Sequence, residues 1–161
     1  SSAKMEKGCS PGSPVSFSGV LNSPVVYVTE GVLKAEAAYQ RTGHPYLGNP
    51  GVSAYKELEL ALNRLKAHGV KVVIEANDMD KCIRLHCDRA YSEACADCEG
   101  SSHECPKKRE KRDHIRKGCL KLYEICEKLG LICKRAVWDT DDEGYWEENY
   151  KGIDDWELRE L

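Results

Sequence analysis

An α/β fold, with a parallel sheet of about four strands flanked by helices, is what three features of this sequence imply. Short β-branched runs alternate with segments of helical period, in the order strand, helix, strand, helix, strand, helix, strand. Gly, Pro and Asn punctuate the joins. Apolar residues make up 41% and charged residues 32% of the 161 positions, an ordinary soluble balance with length enough for one domain and its core. Crossovers between parallel strands are expected to be right-handed.

Residues 1–23 carry Gly, Pro and Ser without periodicity and predict a loop or arm, so the domain is expected over 24–161. Pro24–Val28 predicts the first, buried strand. Val32–Arg41 holds helix formers with Leu33, Ala37 and Ala38 at helical spacing, and Gly43 stops it. Pro45–Gly48 predicts a second strand, closed by the turn Asn49-Pro50-Gly51. Ser53 is expected to cap a helix with Leu58, Leu62 and Leu65 on one face, ended by Gly69. Val70–Ala76, VKVVIEA, predicts the third strand. Residues 81–112 interrupt the pattern with Cys, His, Lys and Arg, and read as an insertion. Helical spacing returns through Ile115, Leu122, Ile125 and Leu129, Leu131–Trp138 predicts a fourth strand, and Asp154 is the expected N-cap of a last short helix.

Charge narrows the partners. The net charge is −3, but Asp139–Leu161 holds ten acidic residues against Lys151 and Arg159, leaving 22 basic against 17 acidic before it, a balance of +5. An acidic tail on a basic body suits an anionic ligand, and equally a solvated helix end. No apolar run approaches a membrane span and no secretory signal opens the chain, so no membrane partner is expected. Nine cysteines, three of them (Cys119, Cys126, Cys133) spaced by seven among apolar positions, predict buried free thiols and a cytoplasmic location. The chain opens on Ser1 rather than Met, and is expected to be part of a longer protein.

The first strand runs straight into Thr29-Glu30-Gly31, and the third into EANDMD. In a parallel sheet, ligands sit beyond the carboxyl ends of the strands. Asp78 and Asp80, two apart, face the same way in extended backbone. With the first and third strands adjacent, Glu30 joins them. Three carboxylates gathered there need a cation, and their oxygens suit a hard divalent ion, magnesium or manganese; Asp-x-Asp or Thr-Glu-Gly alone also reads as a plain turn.

These residues carry a resemblance. The chain is similar to the Toprim domain of bacterial-type primases, topoisomerases and related nucleases, whose pattern is a glutamate after the first strand and Asp-x-Asp after the third. It looks closest to the Toprim-like domains of phage and mobile-element primase–helicase proteins. The likeness runs through TEGVLKA (29–35), NPGV (49–52), NDMD (77–80) and KGIDD (151–155), and covers roughly 24–156. It implies a Rossmann-like Toprim fold and metal-dependent phosphoryl chemistry on nucleic acid: nucleotidyl transfer in priming, or phosphodiester hydrolysis. A non-catalytic nucleic-acid or partner-binding module is the third expectation. Asp78 and Asp80 would hold magnesium, and Glu30 would bind a second ion or act as general acid/base. Lys34, one helical turn after Glu30, would reach a phosphate or pair with the carboxylates. Gly31 would let backbone approach a phosphate. Asp154 and Asp155 match the family's terminal acidic signature. A DNA or RNA template, nucleotides and further primase or helicase domains are the implied partners. The chain departs from the family by inserting about thirty residues where a helix usually follows Asp-x-Asp.

Within the insertion, Cys95-x-x-Cys98 has zinc-knuckle spacing, and Cys87, His86, His103 and Cys105 are the candidates to complete four ligands of a structural zinc site; free thiols or a partial disulfide are the alternative. PKKREKRDHIRK follows at 106–117. Its Lys107, Lys108, Arg109, Lys111 and Arg112 would meet a phosphate backbone, or form a solvated helix start.

Overall fold

The structure, a computed structural model, describes residues 15–51, 54–86 and 104–159. Five strands form one sheet: β1 (Ser16–Ser18), β2 (Val25–Glu30), β3 (Tyr46–Asn49), β4 (Val72–Glu75) and β5 (Ile132–Arg135). Their order is β1-β3-β2-β4-β5. Four are mutually parallel, as the alternation predicts, and β1 runs antiparallel to β3. The sheet is therefore mixed and five-stranded rather than parallel and four-stranded. Its extra strand lies in the stretch expected to be an arm. Three residues are too few to show a period, and β1 exists because backbone partners on β3 hold it.

Four helices connect and cover the strands: α1 (Val32–Thr42), α2 (Tyr55–Ala67), α3 (Pro106–Leu129) and α4 (Ile153–Leu158). A 3-10 turn covers Met79–Cys82. Alternation along β2 divides the core in two. Val26 and Val28 pack with Leu58, Leu62 and Leu65 of α2 and Leu122, Ile125 and Cys126 of α3. On the opposite face Tyr27 joins Ala35, Ala38, Met79, Trp138, Trp146 and Ile153. In α1 the buried residues are Ala35 and Ala38, while Leu33 is exposed. The reason is close approach: a Cβ on Gly48 would stand 2.8 Å from Val32 Cα and 3.0 Å from Ala35 Cβ. Only small side chains fit that helix–strand contact.

Several boundaries differ from expectation. α3 begins at Pro106, not near Asp113, so the basic run is helical and the interruption is shorter. Pro suits a first helical position because its missing N–H has no partner there anyway. α4 is capped at Gly152, which leaves Asp154 and Asp155 in its first turn. β5 covers only Ile132–Arg135, in the first part of the expected run, and forms an edge whose Lys134 and Arg135 are exposed, a guard against further pairing. Cys119 and Cys126 are buried free thiols; Cys133 is free and half-buried. Ser53, expected to cap α2, lies outside the described residues. Among the described residues no helix is long and apolar enough to cross a membrane.

Candidate metal and phosphate site

β2 and β4 are hydrogen-bonded neighbours, in register Val28 opposite Glu75. The chain leaves β2 through α1 to β3 on one side, and returns through α2 to β4 on the other. The order reverses between β2 and β4, and in open α/β sheets it is the crevice beyond the carboxyl ends at such a point that takes ligands. Glu30 ends β2, and Asp78 follows β4 by three residues.

Asn77 ties the two ends together. Its Oδ1 accepts from the Glu30 N–H at 3.0 Å, its own N–H donates to Glu75 Oε2 at 2.9 Å, and its carbonyl accepts from Lys81 Nζ at 2.8 Å. Gly31 then turns the chain at φ 97, a backbone angle suited to glycine, and donates its N–H to Asn49 O at 2.8 Å. That N–H is already used. α1 starts without a side-chain cap, so its first turn keeps backbone donors near the crevice.

Lys34 lies across Asp78, with Nζ 2.7 Å from each carboxylate oxygen. Of its two expected roles, ion pairing is the one seen. Asp78 and Asp80 are both buried, but the 3-10 turn starts between them, so they do not share an extended backbone. Asp80 Oδ2 instead meets Lys151 Nζ at 3.3 Å, and Met79 N–H donates to the Lys151 carbonyl at 2.9 Å. The KGIDD segment thus closes over Asp-x-Asp. A Cβ on Gly152 would lie 2.5 Å from Asp154 Oδ1 and 3.5 Å from both Asp78 Oδ1 and Lys34 Cε. Glycine keeps that meeting point open.

Glu30 points to the other side. Its Oε1 lies 2.9 Å, and Tyr55 OH 3.0 Å, from where a Gly118 Cβ would stand. A glycine inside a helix costs about 1 kcal/mol against alanine; here it lets α3 close over Glu30. Burial first, then the Asp78 charge, raise the Glu30 pKa above its ordinary 4.5, against opposing pulls from His114 and Lys34. Burial also raises Asp154, with Asp155 adding to it. Three buried polar atoms have no partner among the described residues: Thr29 Oγ1, Tyr55 OH and Asp154 Oδ1.

Among the described residues no three Asp, Glu, His or Cys side chains gather tightly enough to hold a metal ion. Glu30 and Asp78 are brought within mutual influence, and Asp80 is turned to Lys151. A caged ion is not the only fit, however. Magnesium keeps several waters and takes one or two carboxylates plus phosphate oxygens. Glu30, Asp78 and the partnerless Asp154 Oδ1 offer oxygen donors alone, with the Lys34 ammonium as their common counter-charge. Oxygen donors of this kind suit a hydrated hard divalent cation, with Asp78 and Asp154 on one side and Glu30 facing α3.

Behind this rim lies a network that the sequence did not flag. Glu75 is fully buried. Its Oε2 accepts from Lys81 Nζ at 2.5 Å, and its Oε1 from Tyr123 OH at 2.6 Å and Arg135 Nε at 3.2 Å. Lys81 is also fully buried and stands 5.2 Å from the Trp138 ring centre. Burial raises Glu75, but Lys81 and then Tyr123 and Asn77 outweigh it and leave its pKa lowered. A glutamate closing the apolar run VVIE, with a lysine six residues on, was the available signal.

The basic run lies on the first two turns of α3. Arg109 pairs with Glu104, Arg112 with Asp113, and Lys108 with Glu148 at 3.9 Å. Gly118 sits at Glu30, so at about 1.5 Å per residue Lys107 lies roughly 16 Å further along α3. Arg116 Nε donates to the Lys81 carbonyl at 2.9 Å, which fixes α3 to the 3-10 turn. Cys105 caps α3 and donates its N–H to Leu85 O at 2.8 Å. Of the other expected zinc ligands, His86 is exposed and its carbonyl accepts from Lys108 Nζ at 3.3 Å, while Cys87, Cys95, Cys98 and His103 lie outside the described residues. A shallow cleft of about 350 Å³ between Lys66, Lys71, Gly130 and Ile132 lies at the opposite ends of β4 and β5, away from these acids.

Comparison with known proteins returns no match: no family model fits the chain, and no curated protein or solved structure matches it.

Proposed function

We propose that this chain is a Toprim-like domain that binds a magnesium or manganese ion and nucleic-acid phosphate at the carboxyl ends of β2 and β4. Its activity on this reading is nucleotidyl transfer in priming, as part of a larger replication protein of a phage or mobile element. One observation carries the reading. Two acids, Glu30 and Asp78, stand at the ends of hydrogen-bonded neighbouring strands at the point where the strand order reverses.

A bound divalent ion would neutralise phosphate charge and orient an attacking oxygen. The chain's own groups do the rest. Asp78 and Asp154 supply anionic oxygen on the α1–α4 side. Glu30, with its pKa raised by burial, holds a proton more readily than an ordinary glutamate and suits general acid/base work. Asn77 fixes the Glu30 backbone, and Gly118 leaves the space it occupies. The exposed basic turns of α3 extend outward from Glu30, where a nucleic-acid backbone would run.

A second reading, a non-catalytic nucleic-acid-binding module, is favoured by Lys34 lying on Asp78 and by Asp80 lying on Lys151. Calorimetric titration with Mn²⁺, wild type against Asp78→Ala, separates the two. Millimolar or tighter binding that disappears in the variant is expected. Wild-type protein that takes up no Mn²⁺ with or without a nucleic-acid oligomer would leave the binding module.

A further inference from the structure

We propose that Lys34 is an exchangeable internal counter-cation. Its ammonium neutralises Asp78 until a divalent ion takes that carboxylate, and then moves to the phosphate oxyanion that arrives with the ion. The inference rests on the metal-and-phosphate reading and adds an order of events to it.

The geometry points this way because Lys34 Nζ is 2.7 Å from both Asp78 oxygens, so it covers the edge a metal would take. The two partners differ in freedom. The Lys34 side chain is 35% exposed and Asp78 only 10%. Asp78 is held at the head of the 3-10 turn, while the lysine hangs on a flexible four-carbon stem and has Asp78 as its sole hydrogen-bond partner among the described residues. Its charge also offsets Glu30 and Asp154. If it left without replacement, Asp78 would lose its partner, and Glu30 and Asp154 a nearby positive charge. A divalent ion replaces it with charge to spare.

The freed ammonium stays beside the first turn of α1, where backbone N–H groups lack a side-chain cap. Both favour an oxyanion. Lys81 shows what a fixed lysine looks like: no exposure, and bonds to Glu75 and to the Asn77 carbonyl.

The test titrates Mn²⁺ into wild type, Lys34→Gln and Lys34→Arg, then inorganic pyrophosphate into each Mn²⁺-loaded protein, with thermal unfolding recorded alongside. Removing a like charge and a competitor is expected to tighten Mn²⁺ about five- to tenfold in Lys34→Gln. Pyrophosphate should weaken about tenfold in the same variant. Lys34→Arg, whose planar fork grips a carboxylate more firmly, should bind Mn²⁺ more weakly than wild type. A purely structural ion pair gives a different pattern, with a lower unfolding temperature and no gain in Mn²⁺ affinity; that result overturns the exchange and leaves the metal site standing. Tighter Mn²⁺ with unchanged pyrophosphate also overturns it. Loss of Mn²⁺ binding in all three proteins removes the exchange together with the metal reading.

Discussion

Glu75–Lys81 and Asp78–Lys34 are the same two chemical types, joined at 2.5 and 2.7 Å, and their acids are three residues apart. One pair is finished and the other is not. Glu75 meets Lys81, Asn77 N–H, Tyr123 and Arg135, so both of its oxygens are satisfied out of water. Around Asp78 the carboxylates outnumber the cations, an Asp154 oxygen has no partner, and burial works against the Glu30 charge. A buried ion pair persists when every lone pair is met. A half-met cluster at a strand end is a place where a ligand completes the chemistry. On the proposed reading, the inner pair serves stability and the outer one serves binding.

The strongest way to break this division is Lys81→Met. It strands a buried carboxylate, and should lower unfolding stability by about 3 kcal/mol in urea denaturation, toward the smaller end because Tyr123 and Arg135 still reach Glu75. A variant as stable as wild type would dissolve the distinction between the two pairs.

A smaller effect, of opposite sign, is expected at Glu30. Its folded pKa lies above the ordinary 4.5, so ionising it opposes folding as pH rises through that value. Glu30→Gln should therefore unfold at a higher temperature than wild type at pH 7, with the gap closing below pH 4.5. Glu75 has the reverse slope. Its folded pKa is lowered, so its stabilisation is present above 4.5 and is lost as pH falls through the folded value. Parallel pH profiles for Glu30→Gln and Glu75→Gln would refute the contrast.

The slightest change is expected from Lys111→Ala on the exposed first half of α3. Single-stranded DNA affinity should fall modestly, and the slope of log affinity against log salt should drop by about 1. An unchanged slope would take this part of α3 out of the binding surface.

Much of the fold was legible because its signals are local. Leu58, Leu62 and Leu65 recur at helical spacing and are buried on α2. Gly43 and Gly130 end helices in left-handed backbone that glycine tolerates. The acids of Thr-Glu-Gly and Asn-Asp-Met-Asp were legible because a carboxylate at the end of an apolar strand needs a partner. β1 was not, since its hydrogen bonds go to a strand about thirty residues away. Gly118 could have been noticed as a glycine within a helical pattern, but its reason, Glu30 across the crevice, is nowhere near it in the chain.

By itself, the sequence determined most of the strands and helices, though not β1 or the start of α3, and which strand ends carry acid, because period and turn chemistry act over a few residues. Only the tertiary structure decided which lysine met which acid. Lys34 reaches Asp78 across 44 positions and Lys81 reaches Glu75 across 6. It also decided that Asp80 turns to Lys151 and that Glu30 faces α3. Ion pairing and burial depend on distance and on exclusion of water, and both follow from strand order and helix packing rather than from neighbouring residues.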